Sequence, residues 1–292
     1  MPVICIGNPT VGGAGKTPLA LAVVRILAAA GETPVLLSRG YGGRLAGPIR
    51  VDPSRHRALD VGDEPLLLAR AAPTIVARNR VKGAAVAVAV GASVIVMDDG
   101  FQNPSLRKDF SVLVIDARRG LGNGKVLPAG PLRAPLKAQL DRADALVLVG
   151  QSPAEPAIAG EARKRGLPVL RARLEPDAGI AAELARHRVL AFAGIGDPEK
   201  FFLALAEAGV AVAATRSFAD HHRYSAADAR GLCEEAQRDG LVMVTTEKDL
   251  ARLQGDAEVA ELAARARALP VTLVLDDEAA FARLLREKVR RP

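Results

Sequence analysis

At 292 residues and 49% hydrophobic, the chain is too long for one small domain and too apolar for a disordered or fibrous protein. Its formal net charge of +7 favours an anionic partner such as nucleic acid, anionic lipid or a phosphorylated substrate, but aromatics at 3% and the lack of a recognition module argue against nucleic acid. Two cysteines, Cys5 and Cys233, make no disulfide framework or metal-ligand spacing, and every long apolar stretch is broken by Arg25 or by glycines before it reaches a membrane span.

The first expected element is a strand over 2–7, PVICIG. The loop GNPTVGGAGKTP (7–18) follows, then an amphipathic helix over 17–30 that Gly31 ends. Strand, glycine loop, GKT and helix in that order are the parts of a phosphate cradle. Glycine lets backbone N–H groups turn toward an anion, and the helix start adds partial positive charge. Thr10, Val11, Gly12, Gly13, Ala14, Gly15, Lys16 and Thr17 are therefore the expected nucleotide-binding residues. Lys16 is expected as a point charge by the β- and γ-phosphates of a nucleoside triphosphate, and the Thr17 hydroxyl as a ligand for Mg²⁺. The usual G-x-x-x-x-G-K-[ST] spacing asks for glycine where this chain has Thr10; Gly12 and Gly13 supply the freedom instead.

A strand over 34–38, a glycine- and arginine-rich loop over 39–50 and a helix opened by GDEP (62–65) come next. They are followed by a strand at 74–77, a helix over 80–91 and a strand at 93–97. That last strand ends in SVIVMDDG, where Asp98 and Asp99 supply the carboxylates that a triphosphate site needs to hold Mg²⁺. A plain acidic turn is the alternative, since Asp and Gly favour turns. A strand at 111–116, a long Gly/Pro loop (117–135), a short helix, a strand at 145–149, a helix near 154–165 and a strand at 167–174 complete the first half. Short apolar strands separated by helices imply βαβ units and a mainly parallel sheet covered on both faces.

After a polar, turn-rich stretch near 175–187 the alternation restarts. Strands are expected at 188–194, 210–216, 241–246 and 270–275, with helices from Pro198 to about Ala208, from Ser225 to about 239 and over 277–290. The fold class is α/β: a P-loop NTPase-type sheet flanked by helices over 1–178, and a second, smaller α/β domain over 179–292. Such a loop serves kinases, switches and partner-driving ATPases alike. No N-K-x-D begins at Asn8, Asn79, Asn103 or Asn123, which weakens a guanine switch. Val11 stands where partition-type ATPases carry lysine, which weakens that reading too.

SRGYGG (38–43), VGDEP (61–65), DDGFQ (98–102), GNGKVLPAGPLR (122–133), FADHHRY (218–224) and TTEKD (245–249) follow the loop in this order. With them the chain resembles the tetraacyldisaccharide 4′-kinases, the lipid A 4′-kinase family of Gram-negative bacteria, from residue 2 to about 250. The resemblance implies phosphoryl transfer from ATP to the 4′-hydroxyl of an acylated disaccharide 1-phosphate, giving lipid IVA. It also implies that the GDEP aspartate, Asp63, is the base, helped by the first histidine of DHH, His221. His222 stays open as the alternative helper. A carboxylate can take the proton of an attacking hydroxyl, but Asp63 also stands where a helix N-cap would.

The arginine-rich loops fit an anionic substrate: Arg39, Arg44, Arg118, Arg119, Lys125 and Arg133, with Arg78 and Arg80 nearby. The family's N-terminal hydrophobic segment has no counterpart before Gly7, and no secretory signal is expected. Peripheral contact with the cytoplasmic face of the inner membrane, without an obligate protein partner, is the expectation. A nucleotide-dependent switch or metallochaperone-like ATPase is the alternative function.

Overall fold

A computed structural model of the chain describes residues 1–152 and 155–289. Positions 154 and 290, expected at the start of one helix and the end of another, lie outside the described residues. The larger sheet contains β1 (Val3–Gly7), β2 (Pro34–Ser38), β3 (Ile49–Arg50), β4 (Thr74–Val76), β5 (Val94–Asp98), β6 (Phe110–Asp116), β7 (Ala145–Val149) and β8 (Val169–Pro176). The smaller holds β9 (Arg188–Ala193), β10 (Ala211–Ser217), β11 (Val242–Thr245) and β12 (Arg267–Ala268), and the chain then returns to the larger as β13 (Val271–Leu275).

The large sheet runs β13-β8-β7-β6-β1-β5-β2-β4-β3, parallel except where β13 meets β8 and β3 meets β4. Every residue of β1, β2, β5, β6 and β7 is buried, as a parallel sheet covered on both faces requires. The two-residue period of the strands divides their aliphatic side chains between two cores. Ile4, Ile6, Val112 and Val147 meet the helix Lys16–Ala29 on one face, through Leu19, Val23, Ile26 and Leu27. Cys5, Leu37, Ile95, Met97, Leu113 and Leu148 point the other way, toward Ala87 of the helix Arg80–Ala89 and Ile158 of the helix Glu155–Arg163. Each Leu-sized side chain removed from water in this way contributes roughly 2 kcal/mol. Burial also pushes the Cys5 thiol up to about 12, so it is an inert core residue.

The small sheet, β10-β9-β11-β12, is parallel throughout. Besides the short elements Ile49–Arg50, Ala58–Val61 and Arg267–Ala268, two longer stretches differ from the sequence expectation. The polar segment near 175–187 contains the helix Ala178–Leu184: Asp177, which reads as a turn residue, accepts the Ile180 N–H as N-cap, and Ala181 and Leu184 are buried. The end of the chain does not belong with the small sheet, although the expected second domain spans 179–292. β13 pairs antiparallel with β8, Leu273 opposite Leu174, and supplies Leu273 and Leu275 to the large core. The closing helix Glu278–Val289 buries Phe281 and Leu285 in that core, and Glu278 Oε1 accepts from Arg25 Nη1 at 3.0 Å. An open edge at β8 needs a partner, and β13 is apolar enough to be one.

Candidate active site

The register Ile6↔Asp98 brings the ends of β1 and β5 level, so the glycine loop and the acidic pair emerge side by side. Gly15 begins the helix Lys16–Ala29 with φ 88°, a left-handed value that glycine permits without strain. No acidic residue stands in the first turn to occupy the free N–H groups there. Lys16 Nζ lies 3.1 Å from Asn8 Oδ1 and 3.7 Å from Asp99 Oδ2. Burial holds Lys16 below the usual lysine range, against the pull of Asp99 and Asp98.

Thr10 and Val11 stand apart from the rest of the cradle. Thr10 forms an antiparallel bridge with Leu132, and the Val11 N–H donates to Pro131 O at 2.9 Å, so that amide is already spent. Arg133 completes this brace: its N–H donates to Pro9 O at 2.8 Å and its Nε to Thr10 O at 3.1 Å, while Nη2 lies 3.4 Å from Asp99 Oδ2. Gly12, Gly13, Ala14, Gly15, Lys16 and Thr17 remain around the helix start, with Ala14 and Thr17 buried.

Asp98 is buried, and burial, with Asp99 and Glu64 nearby, pushes its carboxyl up to about 7. Neither Asp98 Oδ1 nor Asp99 Oδ1 has a hydrogen-bond partner. Two orphaned carboxylate oxygens suit a hard divalent cation.

The second cluster forms where the helix Asp63–Ala69 meets the helix Glu247–Leu253. Gly62, at φ 92°, opens the helix Asp63–Ala69, and a Cβ there would sit 2.5 Å from Tyr41 O. Asp63 follows and is buried. Its Oδ1 accepts the Glu64 N–H at 3.0 Å; its Oδ2 lies 2.8 Å from Arg252 Nε and 3.4 Å from His221 Nδ1. Burial opposes the charge on Asp63. The contacts with Glu64 and His221 and the charge of Arg252 outweigh it, holding the carboxyl below the usual carboxylate range. The Asp63 contact raises His221 above the usual histidine range in turn. Burial, opposed by Lys248, raises Glu64, whose Oε1 lies 2.8 Å from Lys248 Nζ.

Of the two histidines, His221 meets Asp63, whereas His222 Nε2 lies 3.1 Å from Asp228 and stacks on Phe218. Asp63, Glu64 and His221 bring ligand atoms within 4.8 Å of one another, but Arg252 and Lys248 already match both carboxylates, leaving no excess negative charge for a cation. The two clusters feel each other, because Lys248 acts on Asp63, Lys16 and Asp98, and Glu64 on Asp98.

Several sequence-named arginines are otherwise engaged. Arg44 pairs with Asp60 at 2.7 Å, Arg78 Nη2 donates to Gly43 O, and Arg119 Nη1 donates to Gly196 O at 3.4 Å. Asn8 and Arg252 are additions to the sequence reading. Arg252 stands four residues after Lys248 on the helix Glu247–Leu253, a spacing that shows one shared face but not what the face meets.

The family model for tetraacyldisaccharide-1-phosphate 4′-kinase matches residues 1–290. A protein of Nitrobacter winogradskyi named tetraacyldisaccharide 4′-kinase is 58% identical over 294 residues, covering 100% of this chain and 87% of its own. One of the same name from Bradyrhizobium diazoefficiens is 61% identical over 259 residues, 89% of this chain and 77% of its own. The crystal structure of LpxK from Aquifex aeolicus in complex with ATP superposes with a TM-score of 0.75 at 29% identity, covering 99% of this chain and 89% of that one.

Proposed function

The chain belongs to the tetraacyldisaccharide-1-phosphate 4′-kinase family, and from that we propose how its own residues divide the work of phosphoryl transfer. It is an ATP-dependent kinase whose acceptor is the 4′-hydroxyl of a tetraacyldisaccharide 1-phosphate. The amides of Gly12 to Thr17 and the Lys16 ammonium hold the β- and γ-phosphates. Lys16 is desolvated and poised near Asp99, so it trades that partner for a phosphate without reorganising. Asp98, Asp99 and the Thr17 hydroxyl would hold Mg²⁺, which when bound neutralises charge on the phosphates.

Asp63 takes the proton of the attacking hydroxyl. Its Oδ2 carries two partners and its Oδ1 one, so Oδ1 keeps a lone pair for that proton. The observation that carries this reading is the buried Asp63, its Oδ2 held by Arg252 and His221, with Lys248 acting both on it and on Lys16 of the glycine loop. No helix among the described residues is long and apolar enough to cross a membrane. Exposed Tyr41 and Leu59 support peripheral apolar contact with the inner face of the bilayer, where the acyl chains reside.

Purified protein given γ-labelled ATP, Mg²⁺ and the acylated disaccharide 1-phosphate should pass label to a lipid product. Label found only in inorganic phosphate would instead support a nucleotide-dependent switch. His221→Ala is expected to lower kcat about tenfold or more, since it removes one anchor of Asp63. His222→Ala should leave kcat within a few-fold and lower the melting temperature, having lost Phe218 and Asp228. The opposite ranking in kcat would reassign the helper.

A further inference from the structure

We propose that Arg252 is a positioning residue for the base: from the small-sheet side it fixes the orientation of the Asp63 carboxylate. This role rests on Asp63 being the base. Arg252 Nε donates to Asp63 Oδ2 at 2.8 Å, and Nη1 donates to both Asp249 Oδ1 and Gly194 O at 2.7 Å. The guanidinium is planar, so fixing Nη1 fixes the direction in which Nε points. Asp249 is itself immobile: fully buried, it accepts from the Gly194 N–H at 3.0 Å, the Tyr224 hydroxyl at 2.8 Å and the Thr246 hydroxyl at 2.6 Å. The Gly194 carbonyl also accepts the His221 N–H at 3.0 Å. One carbonyl just past the end of β9 thus holds the Arg252 guanidinium and the His221 backbone, the two residues that meet Asp63 Oδ2.

Stability alone is a poor account of this arrangement. A buried Asp–Arg–Asp triad gains little over apolar packing of the same volume, and Arg252 Nη2 is buried with no partner, a net cost. What the triad supplies is a carboxylate that cannot rotate. Lys248, four residues earlier, acts on Glu64 as Arg252 does on Asp63, so one short helix of the small sheet addresses two adjacent carboxylates of the large one.

The test is the kcat–pH profile of Arg252→Met beside wild type, Arg252→Lys and Asp63→Asn. Arg252→Met should lower kcat about a hundredfold with KM for ATP unchanged, as expected when a reacting group is mispositioned. Removing the cation favours the protonated form of Asp63. The acidic limb of the profile should therefore move to higher pH by about one unit or more. Arg252→Lys should return the limb and part of the rate. If the buried Asp249 left behind prevents folding, Asp249→Asn/Arg252→Met removes both charges and gives the same readout. Wild-type kcat with an unmoved limb in a folded variant overturns the proposal, as does a loss that merely follows the folded fraction. An active Asp63→Asn would remove the base itself. An inactive Asp63→Asn beside an unaffected Arg252→Met would remove only the role of Arg252.

Discussion

Asp63→Asn is expected to lower kcat by about a hundredfold or more while leaving KM for ATP near wild type. The amide keeps the volume and one acceptor oxygen but cannot take a proton. Arg252 and His221 remain in place, so the loss should lie in the chemical step and not in nucleotide affinity. Wild-type kcat in steady-state assays at saturating ATP would remove Asp63 from the reaction. The pH dependence follows from the direction of its shift. The carboxyl sits below the usual carboxylate range, so the base form persists through mildly acidic pH, and wild-type kcat should not fall there for want of it. The same shift makes Asp63 stabilising above its unfolded pKa of about 3.9, a contribution lost as pH falls through the lower folded value. Asp63→Asn gives up that contribution at neutral pH, and a melting curve separates this loss from the kinetic one.

Lys16→Ala should lower kcat by about a hundred- to thousandfold, the range seen when one preorganised hydrogen-bond donor to a developing oxyanion is removed. The lysine is already largely stripped of water and held between Asn8 and Asp99, so it is placed before any phosphate arrives. Its removal leaves Asp99 with Arg133 as a neighbouring cation, so the loop should stay folded. Nucleotide titration and initial rates on the same preparation would check this. Undiminished turnover would mean that the ammonium does not touch the transferred group.

Some of this was legible in the residues because it is local. The strand Val3–Gly7, the loop and the helix Lys16–Ala29 follow one another without interruption, and SVIVMDDG shows both a buried strand and its carboxylate terminus. The two-residue strands Ile49–Arg50 and Arg267–Ala268 are too short to show any period, and exist because longer neighbours offer them a free edge. Arg252 meets Asp63 across 189 positions of chain, and periodicity cannot report a contact of that kind. Spacing groups Val11 with the cradle, but its amide is taken by Pro131, whose approach depends on how the 117–135 loop folds back. The end of the chain looked like part of the small sheet because β13 follows β12 closely. Only the vacant edge of β8 explains where it goes.

That return has a mechanical consequence. The chain leaves the large sheet along β8 and comes back along its antiparallel neighbour, so both stems of the small unit cross at one seam, where the Asp177 N–H bonds Pro270 O at 2.9 Å. A body hung on paired stems has one axle. Swinging on it would carry Arg252 and His221 toward or away from Asp63 together, and Lys200 toward or away from Asp116 in the same stroke. A cut in either stem would loosen this flap without freeing it, and a polypeptide shortened to end before Val271 would strip the nucleotide-binding half of an edge instead of shedding a spare tail.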